Sequence, residues 1–467
     1  MTSKKKILIN AFNMNCVGHI NHGLWTHPRD RSTEYADLDY WTSLAKTLER
    51  GLFDGIFLAD IVGVYDIYQG NVDLVLKESI QLPVNDPLML ISAMASVTKN
   101  LGFGITVNLS AEAPYIFARR ISTLDHLTKG RMGWNIVTGY LDSASRALGL
   151  SGQDEHDKRY DRADDYLDLC YKLWEGSWED DAVVKDKAAR LYADPAKVHA
   201  IHHRGPFYTS DGYHLAEPSK QRTPVLYQAG SSGRGREFAA RHAECVFITG
   251  SDKAAARATS RALRQAVVDA GRRPDDIKIF IGITVVPGKT RAEAEDKFAE
   301  YKRYASPEAG LAHFAAGMGI DFSKYDLDEP ITYGTSNAIQ SITQLAKQKG
   351  WTKRQLLGEV EIGGRYPRAV GDAAHVADEL ASWIEEGEID GFNLTRTVTP
   401  ESYEDFIDIV IPELQDRGIY KTSYDDGALR EKLFSEGARL PARHHGASFR
   451  VGPADLPASS ERRITRA

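Results

Sequence analysis

Short apolar runs and longer amphipathic stretches alternate along this chain from one end to the other. KILINAF (6–12) reads as a strand. Residues 37–50 follow with Leu38, Trp41, Leu44, Ala45 and Leu48 on one helical face. GLFDGIFLAD (51–60) supplies a glycine that ends the helix, then a buried strand closing at Asp60. The same reading predicts helices over 86–99, 114–128 and 159–174, the second with proline at its start, and strands over 102–109 and 131–137. Strands over 224–230, 244–250 and 277–286 and helices over 233–243, 253–270 and 291–304 continue the series. A helix over 373–386, a strand over 390–395 and a helix over 402–417 close it.

The strands are apolar throughout rather than alternating, as parallel strands covered on both faces should be. About eight strand–helix units of this kind favour a closed (β/α)8 TIM barrel over an open sheet. The barrel domain spans residues 1–436, with polar, glycine-containing insertions at about 176–222 and 306–366. The later insertion has the length and place of a lid. Residues 437–467, rich in Arg, Pro, Ala and Ser, read as an extended tail.

Composition narrows the class. The chain has 467 residues and a formal net charge of −7, with no long basic stripe, which argues against a nucleic-acid partner. Cys16, Cys170 and Cys245 share no metal-ligand spacing, and so few cysteines suit a reducing cytosol. No metal is expected. The basic start and its short apolar run lack the form of a signal peptide, and no run approaches membrane-spanning length. A cytoplasmic protein is expected.

In a barrel, chemistry sits where the strands end. Those ends bring forward Phe12, Asp60, Thr106, Asn135, Val137 and residues 228–232. QAGSSGRG (228–235) places small residues where a strand hands over to a helix, so backbone N–H groups can approach an anion. It is neither a Walker A loop nor GxGxxG, and an ordinary turn would also use small residues here. His156 and Tyr160, four apart, face one side of a helix start, and both can donate to a phosphate. A paired-carboxylate hydrolase would need more strand-end acids than Asp60 supplies.

Longer strings carry a resemblance. AFNMN…HGLW (11–25), LERGLFDGIFLAD (48–60), ARRISTLDHLTKGRMGWNIVT (118–138), HDKRYDRADDY (156–166), LWEGSWEDDA (173–182) and TPVLYQAGSSGRGREFAA (223–240) resemble the bacterial-luciferase-like flavin monooxygenases. The likeness is to the branch of nitrilotriacetate, dibenzothiophene sulfone and dimethyl sulfide monooxygenases, over residues 6–420. It implies a TIM barrel that takes reduced FMN from a separate NAD(P)H:flavin reductase, activates dioxygen, and transfers one oxygen to a small molecule. Phe12 is then expected beside the flavin ring, Asp60 at its polar edge or ribityl chain, and Thr106, Asn135 and Val137 along ring or ribityl. His156, Tyr160, Ala229, Gly230, Ser231 and Ser232 are expected at the phosphate. An organosulfur substrate such as dimethyl sulfide, another thioether or a sulfone is the first expectation. A carboxylated amine, an S-substituted cysteine, or deazaflavin chemistry are the alternatives. His19, His22 and His313 are the candidates for the substrate pocket, and Trp25 lies nearby in sequence. Arg29 and Arg31 are candidates for a substrate carboxylate. Family members are usually homodimers or homotetramers.

Overall fold

The computed structural model describes residues 5–230, 232–250, 252–331, 350–364 and 366–451. Strands β1 (Leu8–Met14), β2 (Gly55–Ala59), β3 (Gly102–Asn108) and β4 (Met132–Val137) pair in parallel succession. Two antiparallel hairpins then stand apart, β5 (Val183–Asp186) with β6 (Leu191–Ala193), and β7 (Ile201–Arg204) with β8 (Thr209–Gly212). β9 (Val225–Ala229) returns beside β4, followed by β10 (Cys245–Ile248) and β11 (Lys278–Pro287). β12 (Arg368–Gly371) extends the far end of β11. β13 (Gly391–Thr395) joins β11 to β1 and closes an eight-stranded parallel barrel in the order β1-β2-β3-β4-β9-β10-β11-β13.

Successive side chains leave a strand on opposite faces. Ile9, Ala11, Ile56, Leu58, Ile105 and Ile136 pack outward against helix residues such as Trp41, Leu44 and Phe117. Phe12, Phe57, Tyr227 and Phe280 cluster with one another inside the wall. This two-sided burial is why the strands read as unbroken apolar runs.

Helix Leu38–Arg50 begins where the Asp37 side chain accepts from the Asp39 N–H; of the predicted face it buries Trp41, Leu44, Ala45 and Leu48, while Leu38 in the first turn stays exposed. Three helices differ from the periodicity. The 86–99 segment is a tight turn, Pro87–Leu90, capped by Asp86, and then a short helix Ile91–Ser96. The helix expected from 159 starts at His156 and runs to Tyr171 before a wide π turn over Lys172–Gly176. The 402–417 helix is likewise interrupted by a π turn, Phe406–Val410, because Pro412 has no N–H to continue the ladder.

Helix Leu429–Phe434 plugs the base of the barrel, its Leu429 and Leu433 joining the inner cluster. There Arg430 grips buried Glu244 with two bonds of 2.6 and 2.8 Å. Residues 437–451 run back under the barrel, with Arg439 and Arg450 each 2.9 Å from Glu175, and His445 2.8 Å from Asp168. The rest of the tail, 452–467, lies outside the described residues. Over the opposite end, the 61–82 loop packs on helix Pro307–Met318 and on Leu356 and Val360, forming an apolar cap of its own. Positions 332–349 and 365 of the later insertion lie outside the described residues. Among the described residues no helix is long and apolar enough to cross a membrane, and no group of His, Cys, Asp and Glu is arranged to hold a metal ion.

Candidate active site

The barrel strands end on one face, beneath the cap. There they enclose a cavity of about 240 Å³. Phe12, Ala59 with Asp60, Thr106, Asn135 with Val137, Ala229 and Phe247 come from the strand ends. The roof is Gly310, His313, Phe314 and Gly317 of helix Pro307–Met318. His19, Ile20, Tyr65, Gln81, Tyr140 and Tyr366 complete the sides. Phe12 meets Phe57 and Phe247 edge-on, with ring centres 5.6 and 5.3 Å apart, and Phe247 stacks on Tyr366 at 5.7 Å. These faces make a slot with flat, apolar walls.

Polar atoms enter the slot at few places. The Asn135 amide donates to the Thr106 hydroxyl at 2.9 Å, which leaves its buried Oδ1 without a partner among the described residues. Burial, and then the neighbouring Asp86, push the Asp60 carboxyl up to about 7, while the Ile61 N–H draws it back.

Just past Ala229 of the cavity wall, a group of polar side chains meets the start of helix Gly233–His242. Ser232 caps helix Gly233–His242 by accepting from the Gly235 N–H at 3.0 Å. His156 Nε2 lies 3.4 Å from the Ser232 hydroxyl, and its Nδ1 is held by Asp157 at 2.7 Å. The Tyr160 hydroxyl accepts a long bond of 3.5 Å from Gln228 Nε2, so its own proton stays available. Burial raises the Tyr160 phenol, keeping it a donor. A Cβ at position 230 would stand 2.7 Å from Gln228 Nε2 and 2.9 Å from the Tyr160 hydroxyl. Glycine is therefore what keeps this cradle open.

Across the cavity runs a directional chain. Tyr65 donates to Gln81 Oε1 at 2.7 Å, and Gln81 Nε2 lies 3.4 Å from His313 Nε2. An amide nitrogen only donates, so His313 Nε2 accepts and its Nδ1–H points at His22 Nε2, 3.0 Å away. Burial holds His19 and His22 well below the usual histidine range; Arg396 and His313 add to it. Both imidazoles are neutral at physiological pH.

Of the residues drawn from the sequence, Phe12, His19, Asp60, Thr106, Asn135, Val137, Ala229 and His313 line the cavity. His22 stands one hydrogen bond behind His313. His156, Tyr160, Gly230 and Ser232 converge at the cradle, and Ser231 lies outside the described residues. Arg29 and Arg31 are corrected: Arg29 is clamped by Glu300 and Glu401, Arg31 pairs with Glu34, and neither lines the cavity. Trp25 does not line it either. Tyr65, Gln81, Tyr140 and Tyr366 went unread, because they reach the cavity from irregular segments that leave no period. Phe57 and Phe247 also went unread; their alternation with outward-facing strand neighbours is the signal that could have found them.

The comparisons agree with the barrel fold. Residues 21–390 match the luciferase-like monooxygenases. The chain is 51% identical to the long-chain alkane monooxygenase of Geobacillus thermodenitrificans strain NG80-2, over 96% of this chain and 98% of that one. It is 48% identical to the dimethyl-sulfide monooxygenase of Hyphomicrobium sulfonivorans, over 96% and 94%. The crystal structure of a riboflavin lyase with modified FMN and riboflavin superposes with a TM-score of 0.91 at 39% identity, covering 96% of this chain and all of that one. The chain belongs to the luciferase-like monooxygenase family and is a monooxygenase.

Proposed function

We propose that this protein is the oxygenase of a two-component system that takes reduced FMN from a separate reductase and oxygenates a small, uncharged, apolar molecule, a thioether in the first instance. What carries the reading is that Ala229 lines the aromatic slot at the barrel mouth and the next residue, Gly230, begins the cradle shared with Ser232, His156 and Tyr160. FMN has that shape, a flat ring joined by a polar chain to a phosphate. The residues fit it on independent grounds. The buried Oδ1 of Asn135 and Oε1 of Gln228 lack partners among the described residues, and the cradle is one a Cβ would fill.

Phe12, Val137 and Phe247 would flank the ring, Asp60, Thr106 and Asn135 would meet its polar atoms, and the cradle would hold the phosphate. When bound and reduced, the cofactor supplies the electrons and the oxygen chemistry. The protein orients and excludes water. Tyr160 holds a donor proton at the anion, with His156 beside it against Ser232, while the cap of Tyr65, Phe314 and Val360 covers the mouth. The Tyr65–Gln81–His313–His22 chain fixes neutral hydrogen-bonding groups beside the apolar wall.

Two features support the substrate class. The wall is mainly aromatic and aliphatic, and the described lining residues include no Lys or Arg to meet a carboxylate. An alkane is the second reading, favoured by the 51% identity to an alkane monooxygenase.

The test is aerobic turnover with FMN, NADH and a flavin reductase. Dimethyl sulfide, alkanes of graded length, nitrilotriacetate and S-(2-succinyl)cysteine are offered in parallel, and product is measured against peroxide. Oxygenation of dimethyl sulfide with the carboxylates untouched is expected. Turnover of a carboxylated compound would overturn the substrate class, and failure to bind FMN would overturn the reading.

A further inference from the structure

A buried arginine is usually paired with a carboxylate, because a desolvated charge is costly. Arg396, directly after β13, is 3% exposed, yet none of its hydrogen bonds reaches a carboxylate. Its guanidinium donates to the carbonyls of Cys16 at 2.9 Å and Val17 at 2.5 Å, and to the Tyr40 hydroxyl at 3.3 Å. Nearby Asp30 is committed elsewhere, accepting the N–H groups of Ser32 and Thr399 at 2.8 Å each.

The carbonyls it grips belong to a ledge beside the cavity. Cys16 and Gly18 bridge to Val84 and Ile80, and the Gln81 N–H donates to the Gly18 carbonyl at 3.2 Å. One edge of the ledge rests on Arg396; the other carries Gln81 into the cavity, and His19 projects from its end. A second tie runs through Asn21, which donates to the Arg396 carbonyl at 2.6 Å and accepts from the Gly363 N–H at 2.6 Å.

We propose that Arg396 is a positioning residue of the oxygenation site: its fork holds the 16–19 segment so that His19 and Gln81 keep their places on the wall, and its charge sets the field there. The inference rests on the reading of this cavity as the oxygenation site. The charge acts most directly on His19, whose imidazole is held down by burial first and by Arg396 next, with His313 and His22 adding to it. Asp60, Tyr65, Tyr140 and Tyr366 share the cavity with His19, and Cys16, Tyr40, Asp30 and Tyr403 surround the guanidinium. A His19 kept uncharged and fixed offers a donor and an acceptor at set atoms and draws in little water.

The test uses the full chain as Arg396→Gln, which removes the charge, and Arg396→Lys, which keeps the charge and loses the fork. Histidine ring titration is followed by NMR, with the His19 signal assigned from His19→Gln. Product formed per peroxide released and FMN affinity are measured alongside. In Arg396→Gln the His19 ring should titrate at higher pH, because removing a cation makes the imidazolium easier to form. In Arg396→Lys the titration should stay with the wild type. In both, product per peroxide should fall about tenfold while FMN affinity stays within about twofold of wild type. An unmoved His19 titration in Arg396→Gln, or wild-type coupling in both variants, would overturn the proposal. If Arg396→Gln fails to fold, Arg396→Lys decides by its coupling alone. A wild type that oxygenates nothing would sink the functional reading instead, and His19 titration would still judge the field.

Discussion

Replacing Gly230 by alanine tests the anion cradle at its tightest point. The new methyl would arrive 2.7 Å from Gln228 Nε2 and 2.9 Å from the Tyr160 hydroxyl. Ordinary heavy-atom contact needs about 3.5 Å, so the two groups must give by roughly 0.8 and 0.6 Å. Neither retreats freely. Gln228 is 1% exposed in the barrel wall, and the Tyr160 ring is packed by Phe238 at 5.3 Å and by the Arg234 guanidinium at 5.7 Å. The expected consequence is loss of the Tyr160 bond to the phosphate. A hydrogen bond to a charged group contributes about 1.5–3 kcal/mol, which is about 10- to 150-fold in Kd. Apoprotein titrated with FMN and with riboflavin, followed by flavin fluorescence, reads the effect. FMN should weaken by that factor, and riboflavin, which lacks the phosphate, should hold within about threefold. FMN binding within about threefold of wild type, or riboflavin weakened as much as FMN, would refute the placement of the phosphate.

Three other outcomes are expected. Asp60 folds with its carboxyl raised from 3.8 to about 7, so the folded state keeps a proton that the unfolded chain releases. Stability is therefore lost as pH rises from about 4 to about 7, by up to about 4 kcal/mol. In thermal melts Asp60→Asn should exceed the wild type above pH 7 and converge with it near pH 4; a constant offset would contradict this. Glu244→Gln leaves the buried Arg430 guanidinium without its counter-charge and should cost about 3–5 kcal/mol in urea unfolding. His313→Leu breaks the chain between Gln81 and His22, so peroxide released per product should rise while FMN affinity stays within about twofold.

The site was readable in the sequence to the extent that its residues sit on regular elements. Asn135 and Thr106 are polar positions closing apolar strands, and the barrel brings exactly such ends to one face. His156 and Tyr160 share a helix face, so spacing alone placed them together. Tyr65 and Gln81 lie in the loop between Asp60 and Asp86, where a sequence offers no period, and only the packing of that loop on helix Pro307–Met318 carries them to His313. Arg29 and Arg31 show the reverse error. A charged residue near a strand end looks like a substrate ligand until its partners are known, and here Glu300, Glu401 and Glu34 occupy both.

By itself the sequence determined the barrel and its strand order, because apolar runs of that length at that spacing bury both faces in few other ways. It marked the 228–235 loop as an anion-binding candidate too, since glycine and serine at a strand-to-helix junction act through the backbone nearby. Only the tertiary structure decided the cavity wall, the roof over it and the carboxylate-free burial of Arg396. Those depend on contacts between segments far apart in the chain, such as Arg396 with Cys16 and His22 with His313. Such pairings are set by how loops pack on a closed barrel, and no local pattern encodes them.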